Sequence, residues 1–316
     1  KKYDFDKYII YLYKVLQSKK NKTIKKINIF SNFDSYKKNI KNINNYLFLL
    51  DSQKSIIKNI KRYAGTSAGS IAATLMSVGY SCKEFDKIIL STDFSKFYDD
   101  SFGLLRDSIR FIKSYGICKG EYFKDWLEEK LQEKTNIKNI TFAQIKKFYG
   151  KELYITSLCV EDEEVRIFSH KTDPNMSVSL AVRMSMSIPY IFTPVIFNGK
   201  HYIDGGLSNN YPIDMFDSNL FINKKTLGLK FMGDNEKRDN KIFYDKLEAT
   251  SLAKFSLSII THLLDEIERL QVNKNYWERT ISIPTGDIGI IDFDIKNSKK
   301  IRAAKKSYEL AKRQLK

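Results

Sequence analysis

The pattern Gly65-Thr66-Ser67-Ala68-Gly69 restricts the fold of this chain more than any other stretch. Glycines two before and two after a serine have the spacing of a nucleophile elbow, in which a strand turns sharply into a helix with the serine at the tip. So tight a turn leaves no room for Cβ atoms on either side. The flanks fit this reading. Residues 57–64 can form a short buried strand, and residues 70–78 read as an apolar helix ending at Gly79. Ser67 then stands at a helix N-terminus, where free N–H groups and the macrodipole favour negative charge. Short G-x-S-x-G patterns also arise by chance, so the weight comes from the placement between strand and helix.

The rest of the chain supplies what such a unit needs. Strands are expected at 153–160, 165–168, 226–232 and 279–284, and helices at 121–131, 142–148, 178–187 and 298–315. Residues 82–133 read as mostly helical, and 241–273 as one long or two broken helices. Asn198-Gly199 between two apolar alternating runs is a hairpin signal. Alternating strands and helices favour an α/β fold with a mainly parallel sheet. With 316 residues and 42% hydrophobic content, the chain can build one large α/β domain or two small ones. Tyr8, Ile9, Leu12, Tyr13 and Leu16 have helical spacing, which sets residues 1–35 apart as an N-terminal helical extension and leaves 36–316 as the main domain.

A serine nucleophile needs a base, and histidine is the usual one. The chain has three histidines, His170, His201 and His262, and none lies in a loop after a late strand. Asp204 is the better candidate. It ends an apolar strand, and Gly205 and Gly206 after it allow a tight turn and close backbone approach. An ordinary aspartate, with a pKa of about 3.9, is a weak base for serine. Desolvation raises its basicity, and a direct Ser–Asp hydrogen bond lets it take the proton in the transition state.

The two motifs together, Gly65-Thr66-Ser67-Ala68-Gly69 and Asp204-Gly205-Gly206-Leu207-Ser208-Asn209-Asn210-Tyr211-Pro212, resemble the patatin-like phospholipases. Ser185-Met186-Ser187-Ile188-Pro189, between them, shares the resemblance, as do residues 99–126 and 283–286 in the manner of bacterial and viral members. The resemblance implies a three-layer α/β/α fold and a lipid acyl hydrolase. Ser67 would be the nucleophile and Asp204 its proton acceptor, forming an acyl-enzyme with no metal or cofactor. Ala68 would give its backbone N–H to the oxyanion hole.

One departure stands out. The family carries a glycine-rich loop after its first strand that completes the oxyanion hole, and this sequence has no glycine before Gly65. Loss of one oxyanion donor costs on the order of 10²–10³ in rate. The resemblance puts that loop near Ile43, Asn44 and Asn45, where residues 41–43 look like a strand broken off and 44–50 like a helix without its first turns. Either the chain is a diverged, weak or inactive lipid-binding member, or a stretch is missing here. The broken appearance favours a missing stretch.

Lys and Arg outnumber Asp and Glu by 54 to 37, a net charge of +17, which implies an anionic partner. A phospholipid or membrane surface fits the resemblance. No arginine-rich recognition helix, zinc pattern or RNP-like motif supports specific nucleic-acid binding. Any activating partner is left open. Cys82, Cys118 and Cys159 form no metal pattern, which favours a reducing compartment. No signal peptide and no run of 18 apolar residues is visible, so the expectation is a cytoplasmic protein with peripheral membrane association.

Overall fold

The computed structural model describes residues 26–29, 59–99, 114–218, 221–233 and 274–286, with further helical positions between 255 and 267. Among the described residues the main sheet has eight strands. They are β1 (Lys26–Ile29), β2 (Arg62–Thr66), β4 (Glu152–Cys159), β5 (Glu164–Ser169), β7 (Val195–Phe197), β8 (Lys200–Asp204), β9 (Thr226–Gly233) and β10 (Thr280–Gly286). Two short strands, β3 (Gly116–Cys118) and β6 (Tyr190–Phe192), pair separately. The described helices are α1 (Ala68–Ser77), α2 (Cys82–Ser91), α3 (Glu121–Thr135), α4 (Phe142–Tyr149), α5 (Val178–Ser185) and the single turn α6 (Lys274–Trp277).

Strands β10, β9, β1, β2 and β4 run parallel in that order, and β5, β8 and β7 add antiparallel pairings. This is the α/β arrangement with a mainly parallel sheet expected from the sequence. Strands β2 and β4 are buried on both faces, as central parallel strands are. Tyr63, Leu153 and Ile155 join the main core, while Ala64 and Tyr154, one residue on, pack with Phe216 on the other face.

Local chemistry starts and stops the helices. Ser81 and Glu84 form a capping box on α2, and Thr141 and Gln144 form another on α4. Every residue of α1 is buried, so small side chains dominate it. Helix α3 buries Phe123, Trp126, Leu127 and Leu131 along one face and ends at Asn136 in the left-handed region, φ 57°.

The arrangement around β4 positions the site. Strand β5 lies along one edge of β4, from Tyr154 to Cys159. Two strands share the other edge. β2 pairs with Glu152 through Thr156, and β8 pairs with Ser157 through Cys159. Since β2 runs parallel to β4 and β8 antiparallel, their C-terminal ends meet head-on. Thr66 stands opposite Thr156, and Asp204 stands opposite Ser157, the next residue.

Several expectations change. The strand expected at 57–64 is β2, which begins at Arg62 and runs through Gly65 and Thr66, because these residues pair with Ile155 and Thr156. Residues 116–118, read as part of a helical stretch, form β3 against β6. Strand β1 falls inside 1–35, the expected helical extension, and pairs between β2 and β9. Its four residues, Lys-Ile-Asn-Ile, sit in a lysine- and asparagine-rich stretch with no glycine or proline to mark a boundary. The strand and helix expected at 41–43 and 44–50, the loop near Ile43–Asn45 and the helix expected at 298–315 lie outside the described residues.

Candidate active site

Ser67 follows the last residue of β2 and caps α1. Its backbone has φ 51° and ψ −128°, a conformation rare for a residue with a side chain. Such strain costs of order 1–3 kcal/mol and needs surrounding structure to hold it. Part of the reason it can exist is Gly65. A Cβ there would lie 2.3 Å from the Gly69 carbonyl oxygen, so only glycine lets α1 fold back so closely on β2. The Ser67 carbonyl accepts the N–H of Ser70 at 2.8 Å, and Ala68 opens the helix, whose first N–H groups have no intrahelical acceptor. Thr66 Oγ1 donates to the Asn209 carbonyl at 3.1 Å and lies 2.5 Å from Thr156 Oγ1, tying the elbow to the segment after Asp204.

Ser67 Oγ donates to Asp204 Oδ2 at 2.6 Å. The other carboxylate oxygen, Oδ1, accepts the N–H of Gly206 at 2.7 Å. At Gly206 a Cβ would come within 2.7 Å of Asn210 Oδ1 and 2.9 Å of Asp204 Oδ1, so a side chain there would press on the carboxylate and on Asn210. Both Ser67 and Asp204 are buried. Burial pushes the Asp204 carboxyl up to about 7, against the opposing pull of its hydrogen bonds from Ser67 and Gly206. A carboxylate this basic is matched to taking a proton near neutral pH.

None of the three histidines is hydrogen-bonded to Ser67 or Asp204. His170 stands edge-on to Tyr154, and burial lowers its proton affinity. His201 Nδ1 lies 2.5 Å from Glu161 Oε1. His262 is exposed on a helical turn. Cys118 and Cys159 are buried, and neither is in a disulfide. Among the described residues no three metal-ligating side chains cluster, and no helix is long and apolar enough to cross a membrane.

A family profile described as patatin-like phospholipase matches residues 43–217, more than half of the chain and inclusive of both motifs. The chain belongs to the patatin-like phospholipase family. Among its relatives, protein R571 of Acanthamoeba polyphaga mimivirus is 34% identical over 246 residues, covering 75% of this chain and 76% of that one. A second relative, described as a probable lipid hydrolase, 463L of Invertebrate iridescent virus 6, is 31% identical over 173 residues, 52% of this chain and 56% of its own length. In fold, this patatin-like chain is similar to VipD from Legionella pneumophila, with a TM-score of 0.59 at 17% identity over 92% of this chain. It is also similar to the ExoU chain of the ExoU-SpcU complex of Pseudomonas aeruginosa, with a TM-score of 0.52 at 16% identity. The chain spans 66% of the VipD chain and 51% of the ExoU chain.

The sequence motifs did not disclose the contribution of α5 and the turn after it. Ser185 Oγ accepts the backbone N–H of Ser67 at 2.8 Å. The Ser187 carbonyl accepts the backbone N–H of Asp204 at 2.9 Å. Met186 Sδ lies 3.8 Å from Ser67 Oγ. The signal available was the stretch Ser185–Pro189 itself, to which the residue pattern attaches no role.

Proposed function

We propose that this chain is a lipid acyl hydrolase of phospholipase A type, cleaving fatty acyl esters with Ser67 as nucleophile and Asp204 as its proton acceptor. The observation that carries the reading is the direct Ser67 Oγ–Asp204 Oδ2 hydrogen bond of 2.6 Å at a strained elbow, with no histidine bonded to either residue. Family membership and the lipid hydrolase description of the iridescent-virus relative support the substrate class.

The chemistry runs in two halves. Asp204 takes the Ser67 hydroxyl proton as Oγ bonds to the ester carbon, and the carbonyl oxygen becomes an oxyanion. The N–H of Ala68 and the start of α1 face negative charge favourably. The intermediate collapses, the bond to the alcohol oxygen breaks, and that oxygen leaves with the proton from Asp204. Water then gives a proton to Asp204 and attacks the acyl carbon. Ser67 departs, recovers the proton, and the fatty acid is released. The scheme needs no cofactor, and its substrate lies in a phospholipid surface toward which a net charge of +17 is favourable when the lipid is anionic.

A second reading, a weak or inactive lipid-binding member, is favoured by the lack of any glycine before Gly65. A panel of phospholipids and soluble esters assayed with wild type, Ser67→Ala and the three single His→Ala variants separates the two. Hydrolysis lost in Ser67→Ala and kept in His170→Ala, His201→Ala and His262→Ala is the expected result. Lipid binding without hydrolysis by wild type supports the second reading, and loss of activity in a stable histidine variant refutes the dyad.

A further inference from the structure

The two residues of the proposed dyad are both held by the end of α5 and the turn after it. Ser67 N–H lies just past the β2–β4 ladder, which ends at Thr66 and Thr156, so no ladder carbonyl supplies it with an acceptor. Ser185 Oγ does, at 2.8 Å in a buried setting. Asp204 N–H lies beyond the β7–β8 pairing, which ends at Val195 and Tyr202, and its acceptor is the Ser187 carbonyl at 2.9 Å. Ser185, the last residue of α5, and Ser187, in the turn after it, therefore fix the backbones of Ser67 and Asp204, which are 137 residues apart in sequence.

The turn is itself locked. Arg183 is buried, and the hydrogen bonds of its guanidinium go to neutral oxygens. Nη1 donates to Ser187 Oγ at 2.6 Å, and Nη2 donates to the carbonyls of Thr193, at 2.9 Å, and Lys119. Ser187 Oγ in turn donates to the Arg183 carbonyl at 2.9 Å. The Phe192 ring lies 5.6 Å from the guanidinium carbon. Gly120 makes the space, since a Cβ there would sit 2.4 Å from Arg183 Nε. Removing a partner from a buried charge is far costlier than disturbing a surface contact, so these bonds resist movement of the turn.

We infer that Ser185 and Ser187 are positioning residues that set the separation of Ser67 Oγ and Asp204 Oδ2, with Arg183 holding them in register. This rests on the proposed roles of Ser67 and Asp204. Without the Ser185 hydroxyl, the Ser67 N–H is buried without an acceptor and the elbow relaxes away from its strained φ. The serine oxygen then moves from the carboxylate. A misplacement of about 1 Å at a reacting group costs on the order of 10²-fold in rate.

The test compares wild type, Ser185→Ala, Ser185→Thr and Ser77→Ala. Ser77 is a buried serine at the far end of α1 that bonds only its own helix, and it controls for loss of a buried hydroxyl as such. Each variant is assayed on a soluble short-chain ester for kcat and KM, over a range of pH. The rate of covalent labelling by a fluorophosphonate is measured separately, since it reads the reactivity of Ser67 without turnover. Thermal unfolding gives the folded fraction. Ser185→Ala should lose about 10²-fold in kcat and in labelling rate, with KM nearly unchanged. The acid limb of its pH profile should move up, because the Ser67 hydrogen bond helps hold the Asp204 carboxylate ionised. Ser185→Thr, which keeps the hydroxyl, should recover most of the rate, and Ser77→Ala should match wild type. Folded Ser185→Ala with wild-type kcat and labelling overturns the inference, as does an equal loss in Ser77→Ala. A wild type that neither hydrolyses esters nor takes the label overturns the dyad reading itself, a result distinct from failure of Ser185 alone.

Discussion

Replacing Asp204 with asparagine should destroy activity and yet stabilise the fold at neutral and alkaline pH. The carboxyl is buried, and its affinity for a proton is raised from 3.8 to about 7. Between those values the folded protein holds a proton that the unfolded chain has released. Wild-type stability from this group therefore falls as pH rises through that window, and the loss is complete above about 7. The shift is roughly 3 units at about 1.36 kcal/mol each, or about 4 kcal/mol as an upper bound. Asparagine has nearly the same shape and does not titrate. Its amide oxygen can accept the Gly206 N–H while its amide nitrogen donates to Ser67 Oγ. From pH 5 to 8 the stability of Asp204→Asn relative to wild type should grow by about 2–3 kcal/mol and then level off. Urea unfolding at fixed pH values from 5 to 9, followed by the fluorescence of Trp126 in the core, measures it. A difference between the two proteins that stays constant with pH, or shrinks as pH rises, would refute the picture of a carboxylate held at a cost to the fold.

Three other outcomes follow from the same structure. On a soluble ester, kcat/KM should fall as pH drops through about 7, because protonated Asp204 cannot accept the Ser67 proton; a limb near pH 4 would mean an ordinary exposed carboxylate. Gly65→Ala should lose about 3 kcal/mol of stability by thermal unfolding, since its Cβ meets the Gly69 carbonyl, and a change within about 0.5 kcal/mol would show that α1 can move away. Vesicle binding should rise with anionic lipid content and fall with salt, while soluble-ester hydrolysis changes much less; equal binding to neutral and anionic vesicles at low salt would reject a docking role for the basic groups at 19–26 and 299–313.

The residues that local rules govern could be read from the sequence. Gly65 marks a backbone approach that excludes a side chain, Gly206 lies against the side chains of Asn210 and Asp204, and Ser67 and Asp204 occupy the positions those turns present. The alternation of apolar runs gave the α/β class for the same reason, since strand and helix periods are written residue by residue. What could not be read depends on contacts between distant segments. Nothing near Ser185 announces that its hydroxyl meets the backbone of a residue 118 positions earlier. The burial of Arg183 contradicts its polarity until the carbonyls of Lys119 and Thr193 are brought to it. β1 escaped notice because four alternating residues carry too little pattern to stand out, and only pairing with β2 and β9 makes them a strand.

The head-on meeting of β2 and β8 along β4 makes that strand a ruler. The spacing of Ser67 and Asp204 is counted in β4 residues, at about 3.3 Å each, rather than in the length of chain that joins them. Loops between residues 68 and 203 can lengthen or shrink over evolutionary time without moving the two residues apart, provided Thr156 and Ser157 stay adjacent and the end of α5 keeps its place. A single residue inserted at that junction would instead shift one half of the pair by a full strand step and turn its side chains to the opposite face. Changes in length are therefore tolerated in loops that touch neither partner, and are barred at the Thr156–Ser157 peptide bond and at the α5 end that holds both backbones.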